Sequence, residues 1–100
     1  MRNFKTFDLA VEFYRLSRTL SLPKALKEQL NRAASSIVLN LAEGRGRPST
    51  RDQIRFFNIA MGSLRESQAI LTLGDYEDSL AWKKLDSVGA ALFRLIERAG

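Results

Sequence analysis

Apolar residues recur along this chain at steps of three and four almost from end to end, the spacing that lines up one face of an α-helix. Leu9, Phe13, Leu16 and Leu20 form one such seam, with Phe7, Ala10, Val11 and Tyr14 beside it, which predicts a first helix over about 6–20. A second seam, Leu26, Leu30, Ala33, Ile37 and Leu41, predicts a helix over 24–43. The third, over 50–73, carries Ile54, Phe57, Met61, Leu64, Gln68 and Leu71, with a second stripe of Phe56, Ala60, Ser63, Ser67 and Ile70. Ala81, Leu85, Val88, Leu92, Leu95 and Ala99 mark the fourth, over 79–99, flanked by Trp82, Gly89, Phe93 and Ile96. No window alternates apolar and polar residues at period two over a strand's length. The pattern predicts an all-α protein, an antiparallel up-down-up-down four-helix bundle filling 1–100 as a single domain.

The breaks between seams carry turn chemistry. Thr6 is placed to cap the first helix, and Ser21-Leu22-Pro23 to end it, with Pro23 suited to the first turn of the next. Gly44 is expected to take the left-handed conformation that ends a helix, while Pro48 cannot continue one. Ser49 or Thr50 can cap the third helix with Asp52 or Gln53 in capping-box position, Gly74 stops it, and Ser79 can cap the fourth. Gly62 falls in mid-helix, where it costs about 1 kcal/mol relative to Ala. Its expected role is close approach of two backbones.

A polar row, Arg32, Ser36, Asn40 and Glu43, runs beside the apolar seam of the second helix. The short turn after it makes the second and third helices antiparallel neighbours. Counting outward from that turn sets Glu43 near Arg51 and Arg55, Ser36 near Asn58, and Arg32 near Glu66. These residues are expected to form an interhelix polar lock, because buried polar groups need partners and one buried amide such as Asn40 can fix register.

Composition narrows the chemistry. The chain has no cysteine and no histidine, which removes the usual zinc ligands and most acid/base and nucleophilic constellations. Ser36 has no base near it, and Glu43 and Glu66 lie far apart along the hairpin. No catalytic residue, metal or cofactor is expected, and the protein is read as not an enzyme. The N-terminal stretch lacks the apolar core of a secretory signal, and no apolar run approaches the roughly 20 residues that span a bilayer. A cytoplasmic protein with no membrane partner is expected.

Net charge is +5, and the sequence pI is about 10.1. The charge is polarised: Arg45, Arg47, Arg51 and Arg55 cluster around the second turn, whereas Asp75, Glu77 and Asp78 make the other end of the third helix acidic. Those four arginines, beside the start of a helix, are the candidate contacts to an RNA or DNA backbone. The competing reading is a solvated loop whose charge Glu43 and Asp52 partly neutralise. Phe7, Val11 and Tyr14 on the first helix, with Trp82, Phe93 and Ile96 on the fourth, make the apolar surface wider than one partner helix covers. They are the candidate oligomer interface.

The segment QLNRAASSIVLNLAEG followed by RFFNIAMGSLRES resembles the four-helix-bundle proteins first noticed as reading frames in intervening sequences of bacterial 23S ribosomal RNA genes. Their approximate pattern, QlrRAaxSIxxNIAEG and then rFlxiAxGSlxE, is met by Gln29, Leu30, Arg32, Ala33, Ser36, Ile37, Asn40, Ala42, Glu43 and Gly44, then by Phe56, Ile59, Ala60, Gly62, Ser63, Leu64 and Glu66. Phe4 to Tyr14 resembles the family's opening helix more loosely, and the fourth helix agrees only in character. The resemblance implies a pentameric barrel of four-helix subunits. It also implies kinship with the accessory variability determinant of diversity-generating retroelements, a basic pentamer that binds nucleic acid and its reverse transcriptase. Two functions follow as expectations: a homo-oligomer that binds nucleic-acid backbone, or an oligomeric adaptor for a protein partner such as a polymerase.

Overall fold

Four helices form where the seams lie: α1 (Lys5–Ser17), α2 (Lys24–Arg45), α3 (Thr50–Leu73) and α4 (Leu80–Ala99). They are taken from a computed structural model that describes residues 4–99. Residues 1–3, part of the stretch read above for a secretory signal, and Gly100 lie outside the described residues. Each helix buries one line of residues at helical spacing: Thr6, Ala10, Phe13 and Ser17 on α1, and Ala81, Leu85, Val88 and Leu92 on α4. On α2 the line includes Leu30, Ala34, Ile37 and Leu41, and on α3 Phe57, Ala60, Leu64 and Leu71. The four lines meet in one hydrophobic core. Full burial of a side chain the size of Leu or Phe contributes about 1.5–3 kcal/mol, so this core dominates the stability. On α1 the buried line runs between the two expected seams, which are therefore the flanks of one wide face.

Helix α2 packs most extensively on α3, and α1 lies against both α2 and α4, while α3 also meets α4. The helices diagonal to one another do not approach. The bundle measures 40 × 21 × 21 Å. Its helices are antiparallel neighbours, since Gly44 late in α2 meets Phe56 and Phe57 early in α3, while Ser36 meets Ser63 farther along. One end of the bundle, called here the near end, gathers the start of α1, the α2–α3 turn and the end of α4. The far end holds the α1–α2 and α3–α4 turns.

Local chemistry sets the helix limits and corrects several expectations. Ser49 Oγ accepts from the Asp52 N–H at 3.2 Å, and Ser79 Oγ from the Trp82 N–H at 3.1 Å, so both serve as N-caps. Thr6 does not: α1 starts at Lys5, and Thr6 is buried in the core line. That helix also stops at Ser17 rather than Leu20. Ser17 and Thr19 each donate a hydroxyl to a carbonyl three residues back, at 2.7 Å, offering the backbone an alternative to another helical turn. Leu20 keeps its place against the core from the turn.

Neither central glycine has its expected role. Helix α2 runs through Gly44 to Arg45, and no glycine among the described residues has positive φ. Gly44 is required for space, because a Cβ there would stand 2.7 Å from the Phe57 ring and 3.1 Å from the Phe56 Cβ. Gly62, expected at a tight crossing, instead faces open space, with nothing within 4 Å of an added Cβ. At the far end Tyr76 spans the two turns: its hydroxyl accepts the Ser21 N–H at 2.9 Å and donates to the Ser21 carbonyl at 3.0 Å.

Candidate nucleic-acid interface

The near end is where the four candidate arginines converge. Arg45 is the last residue of α2, and its guanidinium lies 4.4 Å from the centre of the Phe4 ring, itself buried and stacked on Phe7. Arg47, in the turn, sits 4.7 Å from the Phe56 ring centre, and Arg55, one turn into α3, sits 4.5 Å from the same ring. Phe56 thus has two cations against its ring. Cation–π contacts of this kind contribute about 0.5–1 kcal/mol each at exposed sites. They fix the plane of a guanidinium while leaving N–H donors at its edge.

Carboxylates neutralise part of this cluster. Arg47 pairs with Glu43 at 3.0 Å, and Arg55 approaches Asp52 at 3.8 Å, both on partly exposed side chains. Arg51 is exposed and, like Arg45, makes no ion pair among the described residues. The turn itself is stiffened, because Gln53 Nε2 donates to the Arg47 carbonyl at 2.8 Å and Ser49 caps α3. The Arg47 Nε is buried without a hydrogen-bond partner. Sequence spacing identified the arginines but missed the ring between them. Phe56 could have been found as the aromatic lying beside Arg55 in sequence and off the main α3 seam.

The polar row is assembled differently from the expectation. The Ser63 hydroxyl donates to Ser36 Oγ at 2.8 Å, and Asn40 Nδ2 donates to Ser36 Oγ at 3.0 Å and to the Ser36 carbonyl at 2.9 Å. Ser67 donates back to the Ser63 carbonyl at 3.0 Å. The link between α2 and α3 is therefore Ser36 to Ser63. Asn58 is exposed and outside it, and Arg32 and Glu66, both exposed, form no ion pair with each other. Glu43 meets Arg47 rather than Arg51 or Arg55. The physical reason is position on the helices: Ser36 lies against Ser63, five residues beyond Asn58 along α3, while Arg32, Asn58 and Glu66 sit on exposed faces.

The candidate interface residues divide between two faces. Val11 and Tyr14 line a largely apolar groove with Arg15, Ser35, Val38 and Leu39, so that set lies between α1 and α2, with Phe7 on the same side of α1. Trp82, Phe93 and Ile96 share a side of α4 with Gly89, which faces Leu64 of α3. Leu39 is 65% exposed and Phe93 60%. Leu39 was not among the expected interface residues, although its position off the Leu30, Ile37 and Leu41 line is a visible signal. Phe7, Tyr14, Trp82 and Ile96 are half-buried against the core.

Among the described residues no cluster of acidic side chains is suited to hold a metal ion, and no helix is long and apolar enough to cross a membrane. What these elements define is a class of small all-α protein, a four-helix bundle with a cationic end and two apolar faces. The sequence model for the 23S rRNA-intervening sequence protein family matches residues 4–97, and the chain belongs to that family. Among solved structures it is similar to a protein of unknown function from the S23 ribosomal protein family of Bacteroides thetaiotaomicron. The two are 20% identical, with 94% of each chain covered and a TM-score of 0.63, a likeness in fold. No curated protein matches the chain.

Proposed function

We propose that the protein is a non-enzymatic homo-oligomer that binds the phosphate backbone of RNA or DNA through Arg45, Arg47, Arg51 and Arg55. The observation that carries this reading is the placement of the Arg47 and Arg55 guanidiniums at 4.7 and 4.5 Å from the centre of the Phe56 ring. Stacked guanidiniums lose little further freedom on binding, and their outward N–H groups match phosphate oxygens. Sequence-independent affinity with steep salt dependence follows.

Neutralising all four residues to Gln should reduce the slope of log K against log salt for an RNA duplex by about 3.6 per engaged subunit. Fluorescence anisotropy across a salt series measures this. An unchanged slope would rule the arginines out as the contacts.

The apolar α1–α2 face and the apolar α4 face next to α3 lie on opposite sides of the bundle. Joining one to the other between copies gives a head-to-tail contact, which generates a closed ring when the rotation closes. A pentamer is the number that family resemblance suggests. A ring would repeat the basic end around one axis, and several weak phosphate sites acting together bind far more tightly than one.

A second reading, favoured by the exposed Leu39 beside its apolar groove, is an adaptor that docks a protein partner such as a polymerase. It predicts capture of one specific protein that survives nuclease treatment and is lost in Leu39→Asp.

A further inference from the structure

A second cationic feature lies at the near end, on the face away from Phe56. Between the start of α1 and the last turns of α4 runs a groove of about 200 Å³ lined by Lys5, Thr6 and Leu9 from one helix and Ala91, Arg94, Leu95 and Arg98 from the other. Its floor is aliphatic and its rim holds three cations. No carboxylate lines it. Lys5, Arg94 and Arg98 are exposed, and none makes an ion pair among the described residues. The acidic groups on this face, Asp8 and Glu12, line an adjoining hollow that shares Lys5 and Leu9 with the groove, and Glu12 is engaged there by Lys84 at 3.3 Å.

Leaving three cations unpaired around one groove keeps them available to an anion from outside the chain. The groove also continues the arginine cluster around the end of the bundle, because Arg45 rests on Phe4, the residue immediately before Lys5. The cations thus flank the end of a bundle 21 Å across, wider than the major groove of B-form DNA at about 12 Å and than the narrower one of an RNA duplex. Contacts spread over that width reach more than one row of phosphates.

The aromatic residues decide between paired and unpaired strands. Proteins that hold single strands offer free ring faces on which bases stack, each worth about 1–3 kcal/mol. Here two guanidiniums crowd the Phe56 ring, Phe4 is buried beneath Arg45, and no aromatic residue lines the groove. The exposed ring at Phe93 lies on the α3 side of α4, away from it.

We propose that the groove rimmed by Lys5, Arg94 and Arg98 is a second phosphate-backbone site and that, together with the arginines of the α2–α3 turn, it holds a double-stranded nucleic acid. This rests on the proposed function and adds to it both a site and a strandedness.

The test compares a 20-base-pair RNA duplex with one of its single strands, by anisotropy over a salt series, using the full chain. Three proteins are used: wild type, the groove variant Lys5→Gln/Arg94→Gln/Arg98→Gln, and the turn variant Arg51→Gln/Arg55→Gln. Circular dichroism and light scattering establish that each variant keeps its helicity and mass. Wild type should bind the duplex more tightly than the strand. The groove variant should bind it more weakly, with a slope smaller by about 2.7, and the turn variant with one smaller by about 1.8. Arg94→Lys/Arg98→Lys, which keeps the charge, should keep the wild-type slope.

A groove variant that binds like wild type while the turn variant weakens would overturn the second site and leave the turn reading standing. Tighter binding of the single strand would overturn the strandedness. Failure of wild type to bind either probe would sink both proposals. Loss of binding to phosphatidylserine vesicles in the groove variant, with RNA binding unchanged, would assign the groove to lipid headgroups and contradict the proposal.

Discussion

The two ends of the bundle are built on different chemistry. At the far end, Tyr76 joins the α3–α4 turn to Ser21 by two hydrogen bonds, Leu22 packs where a side chain on Gly74 would stand, and the exposed charges are of both signs, Asp75, Glu77 and Asp78 with Arg18 and Lys24. At the near end, the turn is held by Ser49 and Gln53, while Arg45 lies over Phe4 and Arg47 and Arg55 over Phe56. The far end joins its two turns by hydrogen bonds and has one longer cation–ring approach, Arg18 at 5.7 Å from the Tyr14 ring centre, whereas the near end sets three arginines at 4.4–4.7 Å from rings. The difference separates what holds the helices together from what is presented to another molecule.

Gly44 offers the sharpest way to break the near end. An added Cβ would drive into the Phe57 ring, and overpacking of this kind typically costs about 1–3 kcal/mol. Gly44→Ala should therefore lower the denaturation midpoint. It should also weaken RNA binding, because Phe56, the platform for Arg47 and Arg55, lies in the same contact. Chemical denaturation paired with anisotropy measures both effects.

Tyr76→Phe separates the ends from each other. Removing the hydroxyl forfeits both hydrogen bonds to the exposed Ser21, an expected loss of about 1 kcal/mol. RNA affinity should stay at the wild-type value. Reduced affinity in a variant that remains folded would show that the ends are coupled.

The smallest effect has the opposite sign. Gly62 is helical with open space around it, so Gly62→Ala should stabilise the protein by about 0.5–1 kcal/mol. A destabilisation that grows with protein concentration would place another subunit against that part of α3.

Much of the fold could be read from the sequence because helical spacing is a strong, repeated signal. The apolar lines of α2, α3 and α4 fall on the buried positions, and Ser49 and Ser79 cap as their chemistry suggests. What escaped was set by tertiary contact. Whether Gly44 ends a helix or makes room for a ring depends on Phe57, which is 13 residues away in sequence. Likewise, that Ser36 meets Ser63 rather than Asn58 is set by how the two helices pack and not by counting outward from the turn. The turn arginines were evident as charge, but their support by Phe56 needs two helices to be in place. The α1–α4 groove was hidden altogether, because its three cations come from the start and the end of the chain.

The most direct measurement is mass in solution by light scattering at low and high salt, with and without a short RNA duplex. A multivalent phosphate-binding ring predicts one fixed oligomer at both salt concentrations, which takes up RNA at low salt and releases it at high salt. A stable monomer, or an oligomer that ignores RNA at low salt, would contradict it.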